Sequence, residues 1–314
     1  MFSTEAGLPL EKAPGFLPVP GGAPANVAIG LARLGVNSAL ISKIGDDPFG
    51  RLLRSVLLQN RVDISQLKVD RESRTTLAFI STREDGERDF CFYRNPGADM
   101  MLSAEEISGG FIKTARVFHY GSISMISDPS YSATLKALEY AKKYGLVISY
   151  DPNVRLSLWD SENQVKQRIT EGLHNSDLVK LNNDELEFIT GISDIKQGSD
   201  ILLKYGPKMI VVTQGDKGSF FNNGRTCSFV ESYKVHTIDT TGCGDSFTSA
   251  ILAKFLQKIK QGKDPFDLDC EEMKDILRFA DAAGALTATK KGVIPSLPTQ
   301  EDLRIFLNGY GKIN

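Results

Sequence analysis

From about residue 115 onward, short apolar runs alternate with amphipathic segments, and this rhythm restricts the fold more than any other feature of the sequence. The apolar runs have the length of strands, and the segments between them carry apolar residues at helical spacing. Strands that alternate with helices form parallel sheets with helices on both faces. The sequence therefore predicts an α/β fold built on a doubly wound, mainly parallel sheet. The predicted strands are 117–120, 146–150, 178–181 and 209–212, and the predicted helices are 130–144, 163–173, 184–190, 245–260 and 272–290.

One segment breaks this rhythm and predicts a small β lid. Residues 75–93 have the alternation of two strands around Glu84-Asp85-Gly86-Glu87, where Asp-Gly is a strong signal for a tight turn. Residues 5–20 contain four prolines and an apolar pattern too irregular for a helix, so we expect them to run extended beside the hairpin. The main domain is then 21–70 with 97–314, and the lid comprises 1–20 with 71–96.

Composition and charge exclude several classes of protein. The 314 residues suffice for one large domain or two ordinary ones. Lys and Arg (37) balance Asp and Glu (39), so the net charge of −2 leaves no broad cationic surface for nucleic acid. No apolar run approaches the ~18 residues of a membrane span and no secretory signal is present, so we expect a cytoplasmic protein without a membrane partner. The cysteines lack C-x-x-C spacing and the histidines are far apart, which argues against disulfide, redox or zinc chemistry.

Polar residues follow four of the predicted strands, and ligands of open α/β sheets bind beyond the carboxyl ends of the strands. Taken singly, each polar segment is explained as a turn or a helix cap. Four such ends in one sheet indicate a shared binding edge instead. The segments are Gly45-Asp46-Asp47, Asp151-Pro152-Asn153-Val154-Arg155, Asn182 and Thr213-Gln214-Gly215.

The strongest candidate for chemistry is Asp239-Thr240-Thr241-Gly242-Cys243-Gly244-Asp245, which opens a predicted helix. Its small residues allow consecutive backbone N–H groups to converge on an anion at the positive end of the helix dipole. Such a loop suits a phosphate group in transfer. Asp245 has two interpretations, because a carboxylate in a first helical turn can simply complement the dipole or can act as the base that deprotonates an attacking hydroxyl.

A second segment, Gly21-Gly22-Ala23-Pro24-Ala25-Asn26, precedes a helical pattern at 27–35. Its two glycines allow close backbone approach to a polyol, and the Asn26 amide can bond the hydroxyls. Alone, a Gly-Gly turn before a helix is weak evidence. The sequence contains neither a P-loop motif nor Gly-x-Gly-x-x-Gly after a strand, so P-loop and dinucleotide folds are excluded.

Together these segments resemble the ribokinase (PfkB) family of sugar kinases, from Gly21 to about residue 308. The family's first signature resembles 21–26 with Gly45-Asp46-Asp47-x-x-Gly50, and its second resembles 239–245. The resemblance implies a ribokinase-like fold and ATP-dependent phosphorylation of a sugar. It also implies that Asp245 is the catalytic base and that the amides of Gly242, Cys243, Gly244 and Asp245 form the anion hole.

ATP, Mg²⁺ and K⁺ are the cofactors that this resemblance implies. The residues that resemble the family's ATP site are Asn182 and Glu185, near the magnesium-bound phosphates, and Thr213, Gly215 and Gly218, at a strand end and turn. Backbone carbonyls with one carboxylate suit a hard cation, whose role would be to order the anion-hole loop. The loops that resemble the family's monovalent-cation site contain Asp239, Thr241, Gly292 and Ser296.

The sequence departs from the family pattern in two places. Cys243 stands where the family often has Ala, and we interpret it as a packing substitution. Family members usually begin with a strand that ends in a sugar-binding Asp, whereas Met1-Phe2-Ser3 resembles the segment just after that strand. A misassigned start, missing residues and sugar binding without that carboxylate all remain open. If the strand is absent, we expect the sheet to lose a strand and sugar affinity to fall.

Three further segments, 92–100, 119–124 and 149–159, resemble the fructokinases within the family. They imply transfer to the 6-hydroxyl of fructose. Arg94, at the end of the lid hairpin, and Arg155 are the expected sugar or phosphate ligands. The alternatives are a solvated edge-strand charge for Arg94 and an ion pair with Asp151 for Arg155.

Two other functions remain open from the sequence. One is a kinase for another small sugar or sugar acid, such as ribose or 2-keto-3-deoxygluconate. The other is a non-catalytic sugar- or nucleotide-binding regulator. We also expect the lid to pair across a two-fold axis, since exposed hairpin edges find partners, and so to form a homodimer.

Overall fold

The computed structural model of the chain describes residues 1–5, 7–82 and 88–310. Within this part of the chain, twelve strands form three sheets, and the predicted turn at Glu84-Asp85-Gly86-Glu87 lies outside it. The strands are β1 (Phe2–Ser3), β2 (Phe16–Leu17), β3 (Ser42–Gly45), β4 (Leu67–Asp70), β5 (Leu77–Thr82), β6 (Arg88–Tyr93), β7 (Val117–Gly121), β8 (Val147–Asp151), β9 (Leu178–Asn182), β10 (Met209–Thr213), β11 (Gly218–Asn222) and β12 (Cys227–Glu231).

Eleven α-helices accompany these strands in the described residues. No helix in this part of the chain combines the length and the apolar character needed to cross a membrane. The helices are α1 (Ala23–Arg33), α2 (Pro48–Gln59), α3 (Gly109–Ile112), α4 (Ser130–Lys143), α5 (Glu162–His174), α6 (Asn183–Thr190), α7 (Ile195–Leu203), α8 (Cys243–Lys260), α9 (Cys270–Ala288), α10 (Val293–Ser296) and α11 (Gln300–Tyr310).

The largest sheet has six strands in the order β12-β11-β10-β9-β8-β7. Strands β7 to β10 run parallel, and β11 and β12 extend the sheet antiparallel. Side chains alternate between the two faces of each strand. Leu178 and Val211 pack in a core with α8 and α9, whereas Val179 and Ile210 pack in a second core with α4 to α7. The predicted doubly wound sheet with helices on both faces is confirmed.

The lid prediction corresponds to a separate four-stranded sheet in the order β2-β1-β5-β6. Strands β5 and β6 pair antiparallel, which confirms the hairpin, and β1 lies parallel to β5. Phe79 packs edge-on against Phe16 and Tyr93, at centroid distances of 4.9 and 5.4 Å. Residues 7–20 are extended only in part, because Leu10–Lys12 form a 3₁₀ turn.

The remaining two strands, β3 and β4, form a parallel pair of their own. In the described residues neither strand is hydrogen-bonded to the six-stranded sheet, so β3 and β7 are both edge strands. Residues of both strands line the same cavity. The main sheet is therefore interrupted between β3 and β7.

Candidate active site

The first turn of α8 is built to hold an anion. Gly242 caps the helix with a φ of 84°, and Ser246 N–H closes the first helical hydrogen bond to the Gly242 carbonyl at 2.8 Å. The Cys243 N–H donates to the Thr240 carbonyl over 3.3 Å. Helix geometry leaves the N–H groups of Gly244 and Asp245 without an intrahelical acceptor. These two amides, at the positive end of an 18-residue helix, are the donors available to a phosphate oxygen.

Close packing restricts this loop at two glycines, most strongly at Gly242. A Cβ added to Gly242 would lie 2.5 Å from a methyl group of Val293, in addition to the strain of its positive φ. A Cβ added to Gly244 would lie 3.0 Å from Lys180 Nζ. The loop is therefore fixed between α10 on one side and β9 on the other.

Asp245 lies on the wall of a large cavity and is 9% exposed. Its carboxylate accepts a hydrogen bond from the Asn26 side-chain amide over 2.7 Å. Burial raises the pKa of Asp245 to about 6, while the Asn26 hydrogen bond lowers it. The arrangement suits a group that accepts a proton near neutral pH.

The segment around Asn26, at the start of α1, contacts the first turn of α8 through the hydrogen bond to Asp245. Asn26 is 4% exposed, and its Oδ1 is buried with no partner in the described residues. Gly21 and Gly22 line the cavity, and Gly22 caps α1 with a φ of 119°. The amide therefore orients Asp245 with its nitrogen, and its oxygen remains available as a hydrogen-bond acceptor.

Sequence reasoning missed Lys180, although a charge inside the apolar run Leu178–Leu181 was a signal for it. Lys180 Nζ lies 3.0 Å from Asp151 Oδ2, and both residues are buried. Burial by itself lowers the pKa of Lys180, but the carboxylates of Asp151 and Glu185 outweigh it and raise the pKa, so the ammonium stays charged. The suggested Arg155–Asp151 pair is wrong, because Lys180 takes that place. Arg155 is exposed, lines the cavity and donates to its neighbour's carbonyl at 2.9 Å.

Asn182 and Glu185 form a reciprocal cap at the start of α6. The Asn182 side chain accepts from Glu185 N–H at 2.8 Å, and the Glu185 carboxylate accepts from Asn182 N–H at 2.9 Å and from Val154 N–H at 2.7 Å. Burial, with Asp151 next, raises the pKa of Glu185. Asn182 lines the cavity, whereas Glu185 stands behind it and holds the segment after β8.

The three other residues assigned to ATP also lie on the cavity wall. Thr213 ends β10 opposite Asn182 in the parallel register. Gly215 and Gly218 flank a short turn and have φ values of 60° and 129°. The ends of β8, β9 and β10 share one edge of the six-stranded sheet, as predicted, but the fourth predicted end, Gly45-Asp46-Asp47, follows β3 in the separate two-stranded sheet.

Asp239 connects the two loops that resemble a cation site. Its Oδ1 accepts from the Thr241 N–H and hydroxyl at 2.9 and 2.6 Å, and its Oδ2 accepts from Gly292 N–H at 3.0 Å. Ser296 is buried, and its hydroxyl donates to the Val293 carbonyl at 2.7 Å. The loop before α8 is thereby attached to the start of α10.

Most of these groups border one continuous cavity of about 1780 Å³, whereas Glu185, Asp239, Gly292 and Ser296 lie behind its wall. A cavity for one small molecule measures roughly 300–1,000 Å³, so this one has room for two substrates side by side. Its wall includes Asp245 at the start of α8, Thr213 and Gly215 at and after the end of β10, and Gly22 at the start of α1.

Comparison with known proteins identifies the group to which this site belongs. A family model described as pfkB family carbohydrate kinase matches residues 5–300. The chain belongs to this family. It is 47% identical over 304 residues to Fructokinase-1 of Oryza sativa subsp. japonica, a match that spans 96% of this chain and 92% of the relative.

Two solved pfkB-like structures extend the comparison. The fructokinase of Xylella fastidiosa with bound ATP is 29% identical, with a TM-score of 0.88, over 97% of this chain and 94% of the other. A double mutant of the Vibrio cholerae O395 fructokinase, bound to fructose, ADP and potassium, is 33% identical, with a TM-score of 0.84, over 93% and 91%.

Asp47, in the segment Gly45-Asp46-Asp47 that resembles the family's first signature, has a structural role in this chain. The Asp47 carboxylate accepts from the N–H groups of Gly50 and Thr75, both at 2.8 Å, and does not line the cavity. It caps α2 and attaches it to the segment that enters β5.

Arg94 departs from both sequence interpretations. It is 6% exposed, so it is not a solvated edge charge. Its guanidinium contacts Asp99 Oδ2 at 2.7 and 2.8 Å and donates to the Ile123 carbonyl at 3.3 Å. Within the described part of the chain, Arg94 does not line the cavity. Asp99 and Ile123, the two residues that it contacts, line the cavity instead.

Proposed function

We propose that this chain is an ATP-dependent fructokinase, which transfers the γ-phosphoryl group of ATP to the 6-hydroxyl of D-fructose. The observation that carries the proposal is Asp245, which lies in the first turn of α8 on the wall of a cavity large enough for both substrates. The names and ligands of the relatives described above support fructose and ATP as those substrates.

In the proposed reaction, the sugar oxygen attacks Pγ while the bond from Pγ to the β–γ bridging oxygen breaks. The hydroxyl proton passes to the Asp245 carboxylate, and the products are fructose 6-phosphate and ADP. The amides of Gly244 and Asp245 hold the oxygens of the phosphoryl group in transfer, because charge spreads over these oxygens in the transition state. Asn26 keeps the base oriented through its 2.7 Å hydrogen bond.

Magnesium belongs to the proposal as the partner of the nucleotide phosphates, where it neutralises charge that develops during transfer. In the described residues no group of three or more His, Cys, Asp or Glu side chains could hold a metal ion. Each oxygen of the Glu185 carboxylate already accepts a backbone N–H. We therefore propose that phosphates and water supply most magnesium ligands and that Glu185 acts by fixing the neighbouring backbone.

Potassium is proposed for the loops that Asp239 connects. The carboxylate of Asp239 and nearby backbone carbonyls are hard oxygen donors of the kind that such a cation prefers. The potassium-bound Vibrio cholerae relative supports this assignment. The cation would act by ordering the loop that carries Gly242.

A cytoplasmic location and a homodimer complete the proposal. The scatter of the four cysteines along the sequence supports a reducing compartment. The four-stranded sheet is proposed as a lid that closes over the sugar, with its outer edges available to a second copy.

A coupled ADP-release assay tests the function on fructose, ribose, glucose and 2-keto-3-deoxygluconate, with potassium or sodium. We expect the highest kcat/KM with fructose and a stimulation by potassium. Asp245→Asn should lower kcat by at least about a thousandfold while ATP binding, measured by calorimetry, persists. Asp275→Asn, which alters an exposed carboxylate of α9, serves as the control. Wild-type turnover in Asp245→Asn would refute the assigned role.

A further inference from the structure

The buried ion pair between Asp151, at the end of β8, and Lys180, in β9, has no place in the reaction described so far. The Nζ–Oδ2 distance is 3.0 Å, and the hydroxyl of Thr248 in α8 donates to the same oxygen over 3.4 Å. The three residues are only 5%, 7% and 2% exposed. Burying an ion costs several kcal/mol of desolvation, so such a pair is weak evidence for a stabilising role.

Part of the hydrogen-bonding capacity of this pair is unused. The buried Asp151 Oδ1 has no partner in the described residues. Lys180 carries three N–H donors, and Asp151 is its one hydrogen-bond partner in the same part of the chain. Both side chains line the cavity that contains Asp245. A pair retained only for stability should have its remaining polar atoms satisfied.

The pair also lies against the catalytic loop. A Cβ built on Gly244 would stand 3.0 Å from Lys180 Nζ, so the ammonium lies beside the first turn of α8. Asp245 is the next residue in that turn. Two opposite charges are therefore fixed near the proposed base, one on β8 and one on β9.

We propose that Asp151 and Lys180 are positioning residues for phosphoryl transfer, a pair of opposite charges that balance each other at Asp245, so that neither displaces the proton affinity of this base or the pH range of the enzyme. The inference rests on the function proposed above. Lys180 favours the ionised base and Asp151 opposes it, so the two effects partly cancel while both charges are present. Burial then remains the main reason that the pKa of Asp245 is about 6.

Described residues of several elements face the pair and the base. Burial lowers the pKa of His119 to about 4, so this side chain is neutral at the working pH. The groups that face Asp245 are Asn26 of α1, Asp151 of β8, Arg155 after β8 and Lys180 of β9, and those that face Lys180 also include Glu185 of α6 and His119 of β7.

The test is the pH dependence of kcat/KM for fructose in the wild type, Lys180→Met, Asp151→Asn and the double variant. We expect a wild-type acid limb near pH 6. Lys180→Met should raise the limb by about 0.5–1 unit, because Asp151 is then uncompensated. Asp151→Asn should lower it by a similar amount, and the double variant should return to within about 0.3 unit of the wild type. Lys258→Met, which breaks the distant pair with Glu272 at 2.7 Å, should leave the limb in place.

The outcomes separate this inference from the proposed function. No turnover of any sugar by the wild type overturns both. If the wild type turns over, two outcomes overturn the charge pair alone. In one, the acid limbs of the two single variants move in the same direction. In the other, the kcat/KM of the single variants falls while their acid limbs stay in place. If circular dichroism reveals that Lys180→Met does not fold, the comparison of Asp151→Asn with the double variant decides, since removing Lys180 must then raise the limb.

Discussion

Two buried carboxyl groups of this chain have raised pKa values for the same reason but in different surroundings. Burial raises the pKa of Asp245 to about 6 and that of Asp281, on α9, to about 7. Asp245 has Lys180 and Arg155 nearby to favour its ionised form. Among the described residues, the hydroxyl of Ser219, which donates to Asp281 over 2.7 Å, is the one group that lowers the pKa of Asp281. Asp281 is therefore a site where ionisation opposes folding.

The stability of the chain should depend on pH through Asp281. Between about pH 4 and 7 the folded chain holds a proton that the unfolded chain has released, so stability falls as pH rises and stays low above about 7. Asp281→Asn remains neutral and keeps an acceptor for Ser219. We expect it to raise the free energy of unfolding in urea by about 2 kcal/mol at pH 8 and by much less at pH 4.5. Equal gains at the two pH values, or the same gain from the exposed Asp275→Asn, would contradict this explanation.

At the scale of elements, the start of α8 depends on close contact with α10. Gly242 and Gly262 bracket this helix with φ values of 84° and 74°, but a Cβ at Gly242 overlaps Val293 whereas one at Gly262 meets open space. The two glycines therefore share the backbone requirement and differ only in packing.

This difference makes a matched pair of substitutions. Gly242→Ala and Gly262→Ala should each destabilise the chain by about 1 kcal/mol through the left-handed conformation. Only Gly242→Ala should also displace the anion-binding loop, and we expect its kcat to fall at least about tenfold while Gly262→Ala keeps wild-type turnover. Thermal unfolding and steady-state kinetics on the two variants check both statements. Similar losses of activity in the two variants would contradict the importance of the contact between Gly242 and Val293.

The four-stranded sheet β2-β1-β5-β6 presents two outer edges with exposed apolar side chains. Leu17 on β2 is 55% exposed and Tyr93 on β6 is 65% exposed. Light scattering after gel filtration should therefore give about twice the 34.4 kDa of one chain. Leu17→Lys or Tyr93→Glu should shift the mass toward the monomer, whereas Ile305→Lys on α11, at a position 59% exposed, should not. A monomeric wild type at all concentrations contradicts the proposed dimer.

Across the whole molecule, local sequence patterns predicted some parts of the structure and not others. Alternating apolar runs predicted the parallel strands, and the small-residue loop at 239–245 predicted the start of α8. Two side-chain contacts escaped prediction. Lys180 contacts Asp151, 29 residues away, because of strand register. Arg94 contacts Asp99, only 5 residues along the chain, rather than the cavity. The antiparallel strands β11 and β12 had a local signal that went unused, Asn223-Gly224 between two apolar runs. The two-part sheet had none, since it depends on which strand edges come together.

The interruption between β3 and β7 is the feature that most affects the molecule as a whole. Edge strands present unpaired backbone groups, and residues of these two edges border one cavity together with apolar side chains such as Val56 and Leu57. Met1 and Phe2 border the same cavity. A chain added before Met1 would thus begin beside the space between the two edges.

An N-terminal extension can test whether this space accepts a strand. About eight residues before Met1, with five alternating Val and Ile and a final Asp, would pair with both edges and bury apolar surface that is otherwise wet. We expect the melting temperature to rise by at least about 3 °C and the KM for fructose to fall, because the added carboxylate would stand at the carboxyl end of a strand. A Gly/Ser extension of equal length is the control. An Asn in place of the added Asp should keep the higher melting temperature but lose the decrease in KM. Equal melting temperatures for the Val/Ile and Gly/Ser extensions would mean that the space does not accept a strand.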